Sequence, residues 1–476
     1  MIKKCTLVLL AAGILSSCNM APTYVRPDAP IENQFPGNTD SSTKTPASEI
    51  GWNEFFREPR LKALIAAAIE NNRDLRLAAL NIEEARALYN VQWADRLPTF
   101  QVEGETSRAR SVSTSSPGMV TSGNYTVGLG LSAFELDFFG RVKSLTDAAL
   151  AQYLATEEAQ RSVYISLVSE VAKTYLTERA QTKQIELAKK SYESYKHSYE
   201  LMQKRYEVGA SSALELRQYE TLMQSALVSL STLERQRAQT ENALVILIGG
   251  KQIKDLPPPH DLSEDDILQD IPAGLPSDLL ANRPDIRQYE QLLKAANANI
   301  GAARAAFFPR ITLTAFAGTA SSSLSGLFDA GTGAWTFTPQ LTLPIFDAGR
   351  NMANLDLAEA RKNIAIVNYE KAIQTAFKEV ADALTARDWL NEQVKAQAAV
   401  LNSETERLKL SEARYNNGIA SSLEVFDAQR QQFAAEQSLV NAVELYRSLG
   451  GGLTDSSVAK TDVQKEQPVQ QPKENA

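Results

Sequence analysis

Hydrophobic and polar residues alternate in four short runs of the chain, and each run predicts a β-strand. The runs begin at Phe100, Tyr125, Ile311 and Trp335. Each is about 9–12 residues long, the length of a tilted membrane strand, with one apolar face and one small or polar face. The same alternation also fits a soluble β-sandwich with one solvated face. Stretches rich in serine, glycine and threonine predict long loops within each pair, at 107–122 and 319–334.

Other parts of the chain lack proline and glycine over long distances and predict α-helices. Residues 141–207 are rich in Ala, Leu, Glu, Gln, Lys and Tyr, and residues 350–417 repeat this pattern. Each stretch ends at a turn with a glycine, Gly209 or Gly418, and a second helix is predicted to return from it. Helices this long need neighbours along their whole length, so we expect packed helical hairpins.

The second half of the chain repeats the first. The pattern Arg-Tyr-x-x-Gly-x-x-Ser-x-Leu-Glu occupies residues 205–215 and recurs at 414–424, a shift of 209 residues. A repeat of this size predicts a duplicated half-domain. The first structural repeat is predicted at 60–256, with a strand pair at about 97–139 and a helical hairpin at about 140–248. The second is predicted at 257–453, with a strand pair at about 309–346 and a hairpin at about 349–450.

The two ends of the chain predict targeting and unstructured segments. Residues 1–17 have the basic start and apolar core of a signal peptide, and they end in the lipobox pattern Leu-Ser-Ser before Cys18. Residues 18–59 are predicted to form an extended leader behind a lipid anchor on Cys18. Residues 454–476 are rich in Gln, Lys, Glu and Pro and are predicted to be disordered.

The composition of the chain argues against several classes of function. The two cysteines are Cys5 in the predicted signal peptide and Cys18 at the predicted lipid attachment, and the two histidines have no metal-like partner at short spacing. No Cys- or His-centred catalysis, metal site or cofactor is therefore expected. The net charge of −8 argues against nucleic acid as a partner. Beyond the signal, no apolar run reaches the ~18–20 residues of a spanning helix. Four strands cannot close a barrel in lipid, so a membrane function requires at least two copies of the chain.

Several motifs together resemble one family. They are the lipobox, Tyr24-Val25-Arg26-Pro27, the Leu-Ala-Asn-Arg-Pro-Asp-Ile run at 280–286, Leu-Pro-Ile-Phe-Asp-x-Gly-Arg at 343–350, and Arg-Tyr-x-x-Gly at 414–418. The mature chain resembles the lipoprotein branch of the TolC-like outer membrane factors, the exit ducts of tripartite efflux pumps. The resemblance implies an α+β membrane protein that forms a homotrimer with a shared 12-strand β-barrel, four strands per chain. It further implies a long periplasmic α-helical barrel and a mixed equatorial domain.

The resemblance also implies partners and a location. The expected partners are a periplasmic adaptor protein, an inner-membrane pump of the resistance-nodulation-division class and outer membrane lipid. The chain is expected at the outer membrane, anchored by Cys18 and extending into the periplasm, with no cofactor and no chemistry of its own.

The same resemblance identifies a gate at the periplasmic end. Leu423, Glu424 and Asp427 follow the second hairpin turn and match residues that line the constricted entrance in the family. Tyr415 matches a tyrosine that locks the closed state in some relatives, whereas the matching arginine position is Ala420 here. In a trimer, Asp427 would form a ring of three carboxylates that favours cations.

Local roles compete with these assignments. Ser421 and Glu424 have the spacing of a capping box, as do Ser212 and Glu215, so Glu424 is interpreted either as a gate residue or as a helix cap. Asp427 lies one turn deeper than a cap, and its counterpart in the first repeat is Gln218. This asymmetry favours a task confined to the second hairpin.

The two hairpin tips are the predicted adaptor contacts. The residues concerned are Gly209, Ala210, Gly418 and Ile419. Each glycine also has a local interpretation, because a tight turn after a helix needs a positive φ.

Three functions are compatible with these patterns. The first is an outer membrane duct for the efflux of small molecules. The second is a duct for type I protein secretion, which has the same fold. The third is a lipid-anchored coiled-coil scaffold that spans the periplasm without a pore. An enzyme is the least supported interpretation, because no nucleophile, base and orienting group occur together.

Overall fold

A computed structural model describes residues 19–32, 51–112, 119–250, 256–259 and 282–448. The predicted signal peptide, Cys18 and the tail at 454–476 lie outside these residues. The described α-helices and strands, in chain order, are α1 Trp52–Phe55, α2 Pro59–Asn71, α3 Arg73–Ala94, β1 Phe100–Val112, β2 Met119–Leu136, α4 Arg141–Glu207, α5 Ala213–Leu247, α6 Pro284–Ala305, β3 Arg310–Ser321, β4 Gly333–Thr342, α7 Arg350–Asn416 and α8 Ser422–Ser448.

Corresponding helices of the two halves have equal or similar lengths. Helices α4 and α7 each contain 67 residues, and they begin 209 positions apart at Arg141 and Arg350. Helices α3 and α6 each contain 22 residues. Both long helices lack proline and glycine, so nothing in their sequences interrupts the backbone hydrogen bonds.

The strands form one antiparallel sheet in the order β1-β2-β3-β4. Strands β1 and β2 pair without interruption from Phe100–Leu131 to Val112–Met119, so the predicted loop at 107–122 is wrong over most of its length. Strand β2 of the first half pairs with β3 of the second, with an irregularity between Leu131 and Phe134. Strands β1 and β4 are the edges of the sheet within this chain.

The described residues divide into two compact units. The first comprises the described parts of Met1–Ala29, Ala79–Ala159 and Asp285–Ala372, and it contains the sheet. The second comprises those of Pro30–Ala78, Gln160–Pro284 and Ile373–Ala476, and it contains both hairpin turns.

In the first unit, Glu135 joins the base of the sheet to the start of α4. Its carboxylate accepts two hydrogen bonds from Arg141, at 2.8 and 2.6 Å, and lies 2.6 Å from Nε of Arg310 on β3. Rings of Phe139 and Phe308 stack beside this point, with centroids 4.7 Å apart. These contacts connect the start of α4 to strands β2 and β3.

In the second unit, a hydrophobic core forms where α2 packs on α4. The buried positions of α2 follow the spacing of one helix face, and they contact buried residues of α4: Leu61, Leu64, Ile65, Ala68, Tyr164, Val168, Val171 and Tyr175. Asn72 ends α2 and starts α3, because its side-chain oxygen accepts hydrogen bonds from the amides of Asp74 and Leu75, both at 2.9 Å.

Candidate functional site

The two hairpin turns have the same backbone geometry. Gly209 and Gly418 adopt positive φ values of 74° and 71°. In each turn the glycine amide donates to the carbonyl three residues back, and the next amide, of Ala210 or Ile419, donates to the carbonyl five residues back. This pattern ends a helix with a left-handed residue, which glycine adopts without strain. All four residues of the tips are exposed and are therefore accessible to a partner.

The helices that follow the turns begin differently. Glu215 completes a capping box: the Ser212 side chain accepts from the Glu215 amide at 3.2 Å, and the Glu215 carboxylate accepts from the Ser212 amide at 3.1 Å. The carboxylate of Glu424 instead lies 2.9 Å from Nη1 of Arg414, on the other arm of its hairpin. Glu424 therefore contributes to a contact across the turn that Glu215 does not make.

Asp427 lies in an ion-pair network confined to the second hairpin. Its carboxylate accepts a hydrogen bond from Arg407 of α7 and another, at 2.9 Å, from Arg430 of α8. Arg407 also contacts Glu404 at 3.1 Å. The network joins the two arms of the hairpin about two to three helical turns from Gly418 at its tip.

The first hairpin does not have the residues for this network. At the shift of 209 residues, the positions that match Arg407, Asp427 and Arg430 are Ser198, Gln218 and Thr221. The duplicated halves thus differ at all three members, which indicates a task that only the second hairpin performs.

The charge on Asp427 follows from its partners. Hydrogen bonds from Arg407 and then Arg430 hold the pKa of the Asp427 carboxyl below its ordinary value. Because the folded pKa is lowered, the stabilisation by this pair is present above the pKa of the unfolded chain and is lost as pH falls through the folded pKa.

We therefore expect the network to be insensitive to mildly acid conditions. The thermal midpoints of wild type and Asp427→Asn should differ by a constant amount from pH 8 to about 5, because the ordinary aspartate pKa is only about 3.9. The difference should shrink only at lower pH. Thermal unfolding in detergent across this range checks it, and a difference that already shrinks between pH 7 and 5 would contradict the lowered pKa.

Tyr415 connects the second hairpin to the first. Its hydroxyl accepts a hydrogen bond from Nη1 of Arg205 at 3.3 Å and also hydrogen bonds with Tyr219 on α5. Burial, the charge at Tyr415 and this bond raise the pKa of Tyr219 above its usual range. The equivalent tyrosine of the first half, Tyr206, is 45% exposed.

An aromatic contact supports the same junction. Tyr219 and Phe426 meet edge to face with ring centroids 4.2 Å apart, and both are buried with Met202 in one cluster. Residue Phe426 precedes Asp427, so packing of the hairpins also sets the position of the ion-pair network.

The sequence singles out Asp427, Glu424 and Tyr415 as candidates, whose role stays a prediction, but it does not single out Arg407 and Arg430, which contact Asp427. Arg430 has a local signal, since residues three apart are neighbours on a helix. Arg407 has none, because it lies 20 positions before Asp427 on the opposite arm. Leu423 lies in the first turn of α8, and its side chain falls outside the described part of the structure.

No group of three or more His, Cys, Asp or Glu side chains in the described part of the structure has the arrangement of a metal site. Among the helices described, none combines the length and the apolar character that crossing a membrane requires.

Comparison with known proteins identifies the family. The model of the family described as "Outer membrane efflux protein" matches residues 64–250 and 275–448. The toluene efflux pump outer membrane protein TtgI of Pseudomonas putida is 45% identical over 466 residues, covering 94% of this chain and 98% of its own. The antibiotic efflux pump outer membrane protein ArpC of Pseudomonas putida is 44% identical over 467 residues, covering 95% and 96%.

The fold has the same relatives. The open state of the Neisseria gonorrhoeae MtrE outer membrane channel matches with a TM-score of 0.80 and 38% identity, over 92% of this chain and 100% of that one. This confirms the predicted fold class, with four strands per chain and long helical hairpins. Together, the family model and these relatives show that the chain belongs to the outer membrane efflux proteins, which are efflux channels and not enzymes.

Proposed function

We propose that the chain is the passive exit duct of a tripartite efflux pump, working with a periplasmic adaptor and an inner-membrane pump of the resistance-nodulation-division class. The observation that carries this proposal is the combination of an open-edged antiparallel sheet with two helical hairpins in a chain 44–45% identical to efflux pump proteins. The named relatives act on toluene and antibiotics, so the proposed cargo is small toxic compounds.

The proposed assembly is a homotrimer. Strands β1 and β4 each leave one edge of backbone groups unpaired within the chain, and an unpaired group in lipid costs several kcal/mol. Pairing β4 of one copy with β1 of the next removes both edges. Three copies then give a closed barrel of twelve strands.

The proposed gate comprises Leu423, Glu424, Asp427 and Tyr415. Ion pairs join Asp427 and Glu424 to the opposite arm of their hairpin, and Tyr415 bonds to the first hairpin. Side chains held in this way favour one hairpin arrangement over another, as a closed state requires.

Two further sets of residues are proposed to attach the chain to an adaptor and to lipid. The exposed tips at Gly209, Ala210, Gly418 and Ile419 are the proposed adaptor contacts. Cys18 is the proposed lipid attachment in the outer membrane.

Single-channel recording tests this function. The purified, lipidated protein should insert into planar bilayers as trimers and show a small conductance, because the duct rests with its gate closed. Native mass measurement of the same sample reports the number of copies. Insertion without trimers would overturn the assembly, and failure of the protein to enter lipid would favour a scaffold over a duct.

A further inference from the structure

The described part of the leader, 19–32, has no regular secondary structure. Within the first unit, residues 21–26 nevertheless bind to helix α6 through several polar contacts. Arg26 donates two hydrogen bonds to the Glu290 carboxylate of α6, at 3.1 and 2.7 Å. The Tyr24 hydroxyl donates to the same carboxylate at 3.1 Å. The Glu290 side chain is only 6% exposed, so the leader helps to cover a buried carboxylate.

Two more residues of α6 contact the leader. The Lys294 ammonium lies 5.4 Å from the centre of the Tyr24 ring and 3.4 Å from the Glu290 carboxylate. The Asn297 side-chain amide donates to the backbone carbonyl of Pro22 at 2.6 Å. These contacts hold both the side chains and the backbone of the leader.

A glycine on α6 makes room for the leader backbone. A Cβ atom at Gly301 would lie 2.7 Å from the amide nitrogen of Ala21 and 2.5 Å from Oγ of Ser144 on α4. Glycine within a helix is less favourable than alanine. The close approach of Ala21 gives a physical reason for glycine at this position.

The four α6 residues form one surface, which we call the leader seat: Glu290, Lys294, Asn297 and Gly301. Their spacing of four, three and four residues places them on one face of the helix.

The first half of the chain lacks this surface. Helix α3 matches α6 over its full 22 residues at a shift of 211 positions. The positions that match the seat are Ala79, Glu83, Arg86 and Asn90, and none keeps the residue of α6. Among the two matching helices of the described structure, α6 has the seat and α3 does not. The seat is therefore specific to the helix that the leader contacts and is not a general feature of the repeated helix.

We propose that the leader seat is an internal binding site for the Tyr24-x-Arg26 segment, and that this binding holds residues 21–26 on α6 instead of leaving them as a free tether. The docking is independent of the proposed function. Its consequence for the lipid rests on the proposed lipidation of Cys18: the acyl chains would enter the membrane at a defined position beside the sheet-bearing unit.

Charge supports this site. Burial disfavours the ionised form of Glu290, but Arg26, Lys294 and Tyr24 more than offset that effect and hold the pKa of Glu290 below its usual value. Tyr369 of α7 also faces Arg26 and Glu290. The carboxylate therefore stays charged, and the attraction for Arg26 persists, at neutral pH.

Hydrogen exchange of the full-length protein in detergent tests the proposal. The amides of residues 19–26 should be protected in the wild type. They should exchange at least about tenfold faster in Arg26→Gln and in Glu290→Gln, because each removes charge-assisted hydrogen bonds between the leader and α6. Gly301→Ala should have the same effect from the other end of the seat.

Matched controls separate release of the leader from general damage. Glu359→Gln removes another ion pair of α6, between Arg304 and Glu359, and should leave exchange in the leader unchanged. Asn90→Ala changes the position of α3 that matches Gly301 and should also leave it unchanged. Arg26→Gln changes a residue of the leader and leaves every residue of α6 in place. Leader amides that exchange at the wild-type rate in both Arg26→Gln and Glu290→Gln would overturn the proposal.

Discussion

Replacing Asp427 by alanine is expected to raise the mean conductance of the single channel by about two- to tenfold. The change shifts the hairpin of each copy from the closed arrangement towards the open one, and these shifts combine over the copies of a symmetric channel. The substitution removes the acceptor shared by Arg407 and Arg430, and so releases one arm of the second hairpin from the other. Recordings of wild type and variant in planar bilayers at one salt concentration measure the effect.

The matched control is Gln218→Ala, since Gln218 occupies the same position in the first hairpin. We expect wild-type conductance from this variant. Arg407→Ala should also raise conductance, and the double variant with Asp427→Ala should add little, because residues of one network do not act additively. Equal conductance of wild type, Asp427→Ala and Arg407→Ala would move the gate away from this network.

The second large effect is expected at Gly318, where alanine should strongly reduce the assembled protein in the outer membrane. Gly318 of β3 faces Gly128 of β2. A Cβ atom at Gly318 would collide with the carbonyl oxygen of Val127 and lie 2.5 Å from Cα of Gly128. Strands β2 and β3 would have to separate, and unpaired backbone groups in lipid cost several kcal/mol.

The amount of heat-resistant assembled protein in outer membranes measures this effect. We expect a fall of at least about tenfold, the change in population that ~1.4 kcal/mol produces. Gly104→Ala is the control, because a Cβ atom at Gly104 of the edge strand β1 would have only an ordinary contact, 3.4 Å from the Val127 side chain. Comparable amounts of the two variants would show that β2 and β3 can move apart without cost.

The long helices were predictable almost to the residue. The absence of proline and glycine predicted helix from 141 to 207 and from 350 to 417, and the structure has Arg141–Glu207 and Arg350–Asn416. Local composition suffices there because backbone bonding within a helix depends on nearby residues. The stretch from Pro59 to Ala94, by contrast, forms two helices, because the Asn72 side chain caps the start of the second one.

The extent of the first strand pair was not predictable from alternation alone. Residues 107–122 are mostly polar or small and were expected to form a loop, yet β1 continues to Val112 and β2 begins at Met119. Cross-strand pairing, such as that of Ser107 with Asn124, maintains the ladder without an apolar face. Pairing of this kind depends on a partner strand, which a pattern within one segment does not contain.

The sequence indicates candidate residues for the site, whose role stays a prediction, and it does not indicate the contacts that these residues make. The contrast between Asp427 and Gln218 was visible once the repeat was found. The predicted ring of three carboxylates names no partner for Asp427 within its own chain. In the structure, the Asp427 carboxylate forms ion pairs with two arginines of the same chain. The contact with Arg407 depends on how the two arms of the hairpin align, which the sequence of either arm does not specify.

The equal length of α4 and α7 limits how this protein can evolve. Inserting one residue into a helix turns everything beyond it by ~100° and advances it by ~1.5 Å. Along 67 residues, that rotation would take side chains such as Met202 away from the partners they pack against near the turn. Natural insertions and deletions are therefore expected to spare the interiors of both helices, or to occur as matched multiples of about seven residues in the two halves.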